Sequence, residues 1–171
     1  MKKILKELYP YIIIVVVVVL FRTFIATPVR VNGDSMDDTL KNGDILILNK
    51  LNHNYKRFDI VVINKKVNGV KTKLIKRVIA LPGESISYKN NVLYIDGKEL
   101  EDVAIPRTGN FTLKGLYNID KLPKDTYFVM GDNRGNSSDS RDFRIGLIKK
   151  DEVVGTTKIR LFPFTKIGKF N

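Results

Sequence analysis

The sequence predicts a mainly β domain that follows a single N-terminal membrane-spanning helix, and two observations support this prediction. Leu8 to Phe21 form an uncharged run of 14 residues rich in Ile and Val. From Pro28 onward, apolar residues instead occur in short β-rich runs separated by Pro and Gly, which is typical of strands. We therefore expect an anchor, residues 1–26, and one domain, residues 27–171, whose roughly 145 residues are enough to bury a core.

The anchor prediction depends on how far the apolar character continues. The run resumes after Arg22, so Tyr9–Ala26 offers 18 residues, or about 27 Å of helix, close to the thickness of a bilayer core. No cleavage site of the small-x-small type follows, because Pro28 would stand beside the scissile bond. A buried core helix or strand is the alternative. Three basic residues favour a cytoplasmic N-terminus and an extracytoplasmic domain: Lys2, Lys3 and Lys6.

The domain is expected to be a compact β barrel or sandwich. The runs at Ser85–Tyr88 and Val92–Ile95 are expected to pair as a hairpin. The segment 99–125 is interpreted as a small insertion, and it contains the one possible helix outside the anchor, within Leu113–Leu122. The other predicted strands are Asp44–Leu48, Asp59–Ile63, Leu74–Leu81, Tyr127–Met130 and Val153–Phe162.

Charge and cysteine content exclude several functional classes. With 30 Lys and Arg against 18 Asp and Glu, the net charge is +12, which suits nucleic acid, an anionic membrane surface or an acidic partner. The lysines are scattered and no nucleic-acid-binding motif occurs, so we expect lipid headgroups and no nucleic acid. Zero Cys and one His argue against a thiol nucleophile and a zinc site. No nucleotide-binding loop occurs, so neither a metal nor a cofactor is expected.

Ser35 is the first candidate catalytic residue. It lies shortly beyond the apolar segment, in the turn-like sequence Gly33-Asp34-Ser35-Met36. A nearby glycine allows another backbone to approach a nucleophilic hydroxyl closely. A serine in such a turn is more often only a turn residue, so the nucleophile hypothesis requires a base.

Two residues are considered as that base. His53, the only histidine, lies in an Asn-rich loop without a neighbouring carboxylate to orient it, which disfavours a Ser-His-Asp triad. Lys76 interrupts an apolar strand, and strand alternation places it on the face of Leu74 and Val78. Desolvation there would favour the neutral amine, which can accept a proton from a serine hydroxyl. The alternative is an edge strand in which Lys76 and Arg77 reach solvent.

A third stretch, residues 131–141, follows the predicted strand that ends at Met130. It contains three Ser, two Asn, two Asp and two Arg, enough to form a closed hydrogen-bond network that supports a base. A plain surface loop is the alternative. The residues alone leave both interpretations open.

Together these stretches resemble the bacterial type I signal peptidases, the membrane-anchored serine endopeptidases that use a Ser/Lys dyad. The order of the stretches and the preceding anchor also match, and the short single-anchor form resembles that of Gram-positive bacteria. The resemblance implies an all-β signal-peptidase-like catalytic domain. The matching segments are V-N-G-D-S-M-D-D-T-L (31–40), R-F-D-I-V-V (57–62), L-I-K-R-V-I-A-L-P-G-E (74–84) and G-D-N-R-G-N-S-S-D-S-R (131–141).

The resemblance implies a role for each of five polar residues. Ser35 would be the nucleophile and Lys76 the general base. Ser137 would supply a hydroxyl bonded to the lysine amine. Asp139 and Arg141 would form an ion pair that braces the site. These roles follow from the family match and not from the spacing of the residues.

Three residues depart from the family pattern. Gly33 stands where some members carry a second donor hydroxyl, so the oxyanion hole would depend on the backbone N–H of Ser35, with or without a water molecule. Asp38 replaces the proline usual in S-M-x-P-T-L, and Gly135 replaces the usual Asp or Asn of G-D-N-R-x-N-S. Neither change removes a member of the dyad.

The implied substrate is an exported preprotein with small residues at positions −1 and −3 before the cut. We expect it to bind in an extended conformation along strand edges near Val31 and Leu74–Arg77. The expected partners are signal peptides, the lipid bilayer and a nearby export translocon, and the protein is expected to be a monomer. By resemblance, shallow apolar pockets would be lined by Val29, Val31, Met36, Leu40, Leu46, Val62, Leu74 and Ile75.

Two alternatives remain. A self-cleaving Ser/Lys protein of the SOS-repressor type would share the dyad and a β fold. The apolar N-terminus argues against it, because those proteins carry a DNA-binding module there. The other alternative is a catalytically inactive, membrane-anchored basic binding module.

Overall fold

One long helix precedes the strands in the computed structural model, which describes residues 2–104 and 108–170. Helix α1 spans Lys2–Phe24, and its part Glu7–Phe24 has a mean hydropathy of 1.9 and is 0% buried. By length and composition it is able to cross a membrane. The helix ends two residues before the predicted end of the anchor, because Ala26 already pairs with Asn49 in a strand.

Strands dominate the rest of the described residues, as the sequence predicts. A short helix, α2 (Leu113–Tyr117), is the only other α-helix there. The strands are β1 (Ala26–Arg30), β2 (Ile45–Asn49), β3 (Ile60–Val67), β4 (Val70–Ala80), β5 (Ile86–Lys89), β6 (Val92–Ile95), β7 (Lys98–Leu100), β8 (Phe111–Thr112), β9 (Thr126–Met130), β10 (Ile148–Lys149), β11 (Val153–Phe162) and β12 (Gly168–Lys169).

Every strand that the sequence predicts is present, and β5 and β6 form the predicted hairpin. The strands that the sequence did not predict, β1, β7, β8, β10 and β12, have at most five residues and carry little periodic pattern. β1 also contains Pro28, which is tolerated because β1 lies at the edge of its sheet. The possible helix within Leu113–Leu122 is reduced to α2, which stops where Asn118 adopts a left-handed conformation with φ of 56°.

The described strands form two antiparallel sheets. The larger has the order β1-β2-β11-β3-β4-β9-β10, with β12 paired to β11, and the smaller has the order β7-β6-β5-β8. β8 belongs to the segment 99–125, so its pairing with β5 makes part of the predicted insertion a strand of the smaller sheet. Residues 105–107 of that segment lie outside the described part of the chain.

Buried apolar side chains form three groups. The first contains side chains of both sheets, with Phe128 of β9 among the largest. The second contains Val78 of β4 and its partner Val129 of β9. The third packs β1, β2 and β3 against the segment that contains Met36 and Leu40. This third group positions the functional site, because Ser35 precedes Met36 in that segment.

Candidate active site

Ser35 lies in a tight turn after β1. The N–H of Leu40 donates to the carbonyl of Met36 over 2.6 Å, and both side chains are buried in the third core group. The turn therefore closes without the proline that Asp38 replaces. Gly33 precedes the turn with φ of 89°, a left-handed conformation that favours glycine.

The amine of Lys76 reaches this turn from β4. Its Nζ lies 2.6 Å from Oγ of Ser35, although 41 positions separate the two residues in the chain. Lys76 is only 3% exposed, so the alternative in which its head reaches solvent does not apply. The structure thus brings the two predicted dyad residues into hydrogen-bonding contact.

Burial changes the proton affinity of this lysine. The pKa of Lys76 falls from 10.5 to about 8, and desolvation is the largest cause. The negative charge of Asp139 opposes the shift, whereas the guanidinium of Arg141 adds to it. Near pH 8 about half of the Lys76 side chains are therefore neutral and able to accept a proton.

The loop that follows β9 holds the Ser35 turn in place. The backbone N–H of Asn133 donates to the carbonyl of Ser35, and its side-chain amide donates to that of Asp34, each over 3.1 Å. Gly131 lies against the same Ser35 carbonyl, and a Cβ at position 131 would overlap both this oxygen and the side chain of Ser137. No pattern in the sequence points to an individual role of Gly131 or Asn133. Asn133 and Asp34 are 99 positions apart, so the local sequence around either residue cannot predict their contact.

Asp139 and Arg141 form a two-point ion pair within the same loop. Nε and Nη2 of Arg141 each lie 2.8 Å from an oxygen of the Asp139 carboxylate. This carboxylate also accepts the N–H of Gly131 over 3.0 Å. Burial is the largest influence and raises the pKa of Asp139, but the hydrogen bond and charge of Arg141 and the Gly131 N–H together hold it below its usual value. Through the Gly131 N–H, the ion pair connects the end of the loop 131–141 to its beginning.

The hydroxyl of Ser137 is buried and makes no hydrogen bond of ordinary geometry within the described residues, although its interaction with the Asp139 carboxylate helps to lower the pKa of Asp139. The bond that the resemblance implies between Ser137 and the Lys76 amine is therefore not formed in this structure, where the amine is bonded to Ser35.

A second buried ion pair involves Arg77, the chain neighbour of Lys76. Its Nε and Nη2 lie 2.9 Å and 2.6 Å from the carboxylate of Asp132, and neither residue is more than 3% exposed. The hydroxyl of Thr39 donates to the same carboxylate and connects the Ser35 turn to the pair. Local sequence pattern does not predict these roles, and the only indication of them is that all three residues lie in the matching segments.

Arg134 attaches the loop to the smaller sheet. Its Nη2 lies 2.7 Å from the carboxylate of Asp102, and its Nη1 donates to the hydroxyl of Tyr88 in β5. The carbonyl of Arg134 accepts a hydrogen bond from Arg141 over 2.8 Å. Gly135 is exposed, with open space where a Cβ would stand, so its departure from the family pattern removes no contact of the site.

A cleft of about 80 Å³ opens beside Ser35 and Lys76, between the segment after β1 and the first half of β4. Four of the eight predicted pocket residues line it: Val31, Met36, Leu74 and Ile75. The other four are buried in the third core group: Val29, Leu40, Leu46 and Val62.

One edge of β4 is open at this cleft. β9 pairs with β4 only from Arg77 onward. Leu74–Lys76 therefore pairs with β3 on one side and with no described strand on the other. An extended peptide is able to add to such an edge through its main chain.

The donors available to an oxyanion are few. The backbone N–H of Ser35 makes no hydrogen bond within the described residues, so it is free to donate. The N–H of Gly33 instead donates to Oδ1 of Asn42 over 3.2 Å. Gly33 thus supplies neither a hydroxyl nor a free N–H, and its contribution is the left-handed backbone at the entry of the turn.

His53 lies away from this site. It is exposed in the connection between β2 and β3 and lines a separate surface cavity with Lys124 and Lys150. Among the described residues, no cluster of three or more His, Asp or Glu side chains could hold a metal ion.

The chain is similar to known proteins over most of its length. Residues 4–162 match the family model described as signal peptidase, peptidase S26. The signal peptidase I of Bacillus amyloliquefaciens is 40% identical over 167 residues, 92% of this chain and 88% of that protein. Signal peptidase I T of Bacillus subtilis strain 168 is 40% identical over 91% of this chain and 84% of its own length. A crystal structure of a signal peptidase I from Enterococcus faecalis V583 is 34% identical and superposes with a TM-score of 0.52, covering 60% of this chain and 95% of that one.

Proposed function

The chain belongs to the signal peptidase family, peptidase S26, and is a serine endopeptidase, and we propose that it removes signal peptides from exported preproteins with a dyad of Ser35 and Lys76. One observation carries the dyad: a buried lysine amine, with its pKa lowered to about 8, lies 2.6 Å from the serine hydroxyl. A serine hydroxyl is a weak nucleophile unless an adjacent base removes its proton.

The proton transfers of the reaction need only these two side chains and water. The neutral amine of Lys76 accepts the hydroxyl proton as Oγ of Ser35 attacks the scissile carbonyl. The resulting ammonium returns the proton to the departing amine, which leaves an acyl-enzyme. Lys76 then deprotonates a water molecule, which releases the acyl group and restores the Ser35 hydroxyl.

The negative oxygen of the tetrahedral intermediate needs donors. The free N–H of Ser35 is proposed as the first of them. The buried hydroxyl of Ser137 lies against Gly131, which also contacts the carbonyl oxygen of Ser35, and it adds a further polar group beside the turn. Asn133, Asp139 and Arg141 are positioning residues that hold the turn and the loop together.

The shape of the cleft supports cleavage after small residues. The cleft is small, about 80 Å³, and partly apolar, which favours side chains of the size of Ala. The substrate is proposed to lie extended against the open edge of β4 at Leu74–Lys76, with its −1 and −3 side chains toward the apolar residues Val31, Met36 and Ile75.

The anchor fits a substrate that is itself held in the membrane. α1 is proposed to span the bilayer with its N-terminus in the cytoplasm and the β domain on the outer side, near the export translocon. Enzyme and preprotein then meet in two dimensions, which raises their effective concentration without any additional contact. A monomer suffices, because all the proposed site residues come from one chain.

The test uses the full chain in liposomes with a preprotein that carries Ala at −1 and −3. Ser35→Ala and Lys76→Ala are each expected to lower kcat by on the order of 10³-fold or more, because both act in the same proton transfer. His53→Ala is the matched control and is expected to cleave as fast as the wild type, since His53 is remote from the dyad.

The result also separates the alternatives. Full activity of Ser35→Ala would reject a serine mechanism, and loss of activity only in His53→Ala would move the base to His53. Wild-type chain that binds a preprotein without cleaving it would favour an inactive binding module. Cleavage of its own chain but of no preprotein would favour a self-cleaving protein.

A further inference from the structure

The ends of β3 and β4 extend beyond the larger sheet as a two-stranded hairpin, residues 64–73, which we call the basic arm. β11 pairs with β3 only up to Ile63, so the arm continues past the last strand that flanks it on that side. Its turn consists of Asn68 and Gly69 with φ of 50° and 81°, the two successive left-handed residues of a tight hairpin turn.

Three lysines lie on one face of the basic arm. Lys66 is paired directly with Lys71, and Asn64 is paired with Lys73. Residues opposite each other, and alternate residues along one strand, point to the same side, so Lys66, Lys71 and Lys73 share a face. All three are exposed and make no ion pair within the described residues, whereas Lys65 on the other face is paired with Glu152 over 2.9 Å.

This arrangement is unfavourable for the isolated protein. Two like charges directly opposite each other in a sheet repel, and here no acidic side chain of the described residues relieves the repulsion. An open surface cavity of about 510 Å³ runs along the arm and is lined by residues of both faces, namely Asn64, Lys65, Lys66, Lys71, Thr72 and Lys73. The cluster therefore favours an anionic ligand.

The pairing register indicates where the arm lies relative to the anchor. Successive partners cross the sheet from Ala26, the second residue after α1, through Asn49, Thr156 and Val61 to Lys76. β1 runs from this row of paired residues toward one end of the sheet. Because neighbouring strands are antiparallel, the arm extends from the row toward the opposite end, which is also the end where α1 joins β1. From Lys76 to Val70 the arm extends by roughly 20 Å.

Two valines flank the Asn68-Gly69 turn, on the face of the arm opposite to the three lysines. Val67 and Val70 pair next to the turn, and Val70 is 66% exposed. An exposed apolar residue at the end of a basic hairpin is able to enter a membrane interface end-on, with the cations at the headgroups. An acidic peptide would satisfy the charges but would leave the valine tip and its position on the anchor side unexplained.

We propose that the basic arm docks on an anionic phospholipid surface, with Lys66, Lys71 and Lys73 at the headgroup phosphates and Val70 at the apolar boundary. The proposal rests on the membrane anchoring within the proposed function. Because Lys73 also lines the cleft and is continuous with Lys76 along β4, docking would fix the height of the cleft above the membrane.

The experiment uses the absence of natural cysteines. Val70→Cys in the full chain is labelled with an environment-sensitive fluorophore and reconstituted in neutral phosphatidylcholine vesicles or in vesicles that also contain phosphatidylglycerol. We expect emission at shorter wavelength with the anionic lipid only, and we expect high salt to reverse the shift. The double variant Lys66→Gln/Lys71→Gln should lose the shift. Lys89→Gln/Lys98→Gln, with the same charge change on the smaller sheet, should retain it.

Two results would overturn the proposal. One is equal emission in neutral and anionic vesicles. The other is a shift produced in neutral vesicles by a soluble acidic peptide but not by anionic lipid, which would identify a peptide site instead. The readout does not depend on proteolysis, so the same shift in the Ser35→Ala background separates a failure of this proposal from a failure of the proposed cleavage reaction.

Discussion

Gly131 and the carbonyl oxygen of Ser35 are in such close contact that a Cβ at position 131 would overlap this oxygen. The main chain of the proposed nucleophile thus rests on the first residue after β9, and the Asn133 N–H binds the same oxygen over 3.1 Å. The distance between Ser35 and Lys76 therefore depends on a residue that carries no side chain.

Replacing Gly131 by Ala should displace the nucleophile. The added methyl meets a backbone carbonyl and the buried Ser137 side chain, neither of which is the free end of a flexible chain. We expect kcat to fall by about 10²-fold and the free energy of unfolding to fall by about 1–3 kcal/mol, as for other overpacked sites. Preprotein cleavage and thermal unfolding of the full chain in detergent measure the two effects.

Gly135→Ala is the matched control, in the same loop. A Cβ there meets nothing within 4 Å, and its backbone is not left-handed, so neither activity nor stability should change appreciably. Equal effects of the two substitutions would show that the close contact of Gly131 with Ser35 determines neither the activity nor the stability.

Cleavage should increase with pH through the pKa of Lys76. Only the neutral amine accepts the Ser35 proton, and desolvation places the pKa at about 8. We expect kcat/KM on a peptide substrate to rise tenfold per pH unit well below pH 8 and to level off above it. A profile that is flat from pH 6 to 10 would contradict the assignment of Lys76 as the base.

The charge of Arg141 should set part of this midpoint. Its guanidinium lowers the pKa of Lys76 and neutralises Asp139, whose carboxylate raises that pKa. Arg141→Gln should therefore move the midpoint of the pH profile to higher pH. Arg144→Gln is the control, because the Arg144 side chain is 64% exposed and pairs only with Asp142. A midpoint unchanged in Arg141→Gln would indicate that the group titrating is not Lys76.

The buried lysine should cost stability at neutral pH. Its pKa is 10.5 in the unfolded chain and about 8 in the folded one, a difference worth about 3 kcal/mol. Below pH 8 both states are protonated and the full cost applies. As pH rises from 8 to 10.5 the folded state is neutral while the unfolded state still binds the proton, so the cost disappears.

Lys76→Met should therefore be inactive but more stable than the wild type at pH 7, by up to about 3 kcal/mol, with the difference shrinking toward pH 10. Thermal unfolding at both pH values measures it. Lys98→Met, at an exposed position of β7, should change stability by no more than about 0.5 kcal/mol at either pH. A Lys76→Met variant less stable than the wild type at pH 7 would show that burial of the charged amine does not destabilise the folded protein.

Local sequence pattern was sufficient for the long strands and for the two residues that meet in the site. Period-2 alternation and turn residues identify β4, and a charged residue within its apolar run identifies Lys76. The pattern was insufficient for strands of two or three residues, such as β10 and β12, whose existence depends on the pairing partner and not on their own residues.

The supporting contacts could not be predicted for a related reason. Arg77 and Asp132 are 55 positions apart, and a buried ion pair of this kind has no local signature. The expected hydrogen bond between Ser137 and Lys76 is absent although the lysine amine carries more than one N–H, so its bonding to Ser35 alone depends on where the side chains lie. Residue types that suit the proposed chemistry could therefore be recognised in the sequence, whereas the contacts that hold them in place could not.

Lys50 connects the end of α1 to the β domain by hydrogen bonds. We expect this contact to affect the cleavage of membrane-held substrates only. Nζ of Lys50 donates to the carbonyls of Arg22 and Thr23 over 3.0 Å and 3.1 Å, in the last turn of α1, where a cation is favoured by the helix dipole. The hydroxyl of Thr27 donates to the same Arg22 carbonyl over 2.6 Å. These bonds fix the direction in which β1 leaves the helix.

Lys50→Met removes the cation but keeps the length of the side chain. We expect several-fold slower cleavage of a preprotein in liposomes, because the cleft is no longer held in one orientation above the bilayer. Cleavage of a soluble peptide in detergent should be unchanged, since Lys50 does not contact the cleft. Lys56→Met, exposed in the same connection between β2 and β3, should affect neither reaction. Equal losses on both substrates would mean that Lys50 acts through the stability of the domain and not through its orientation.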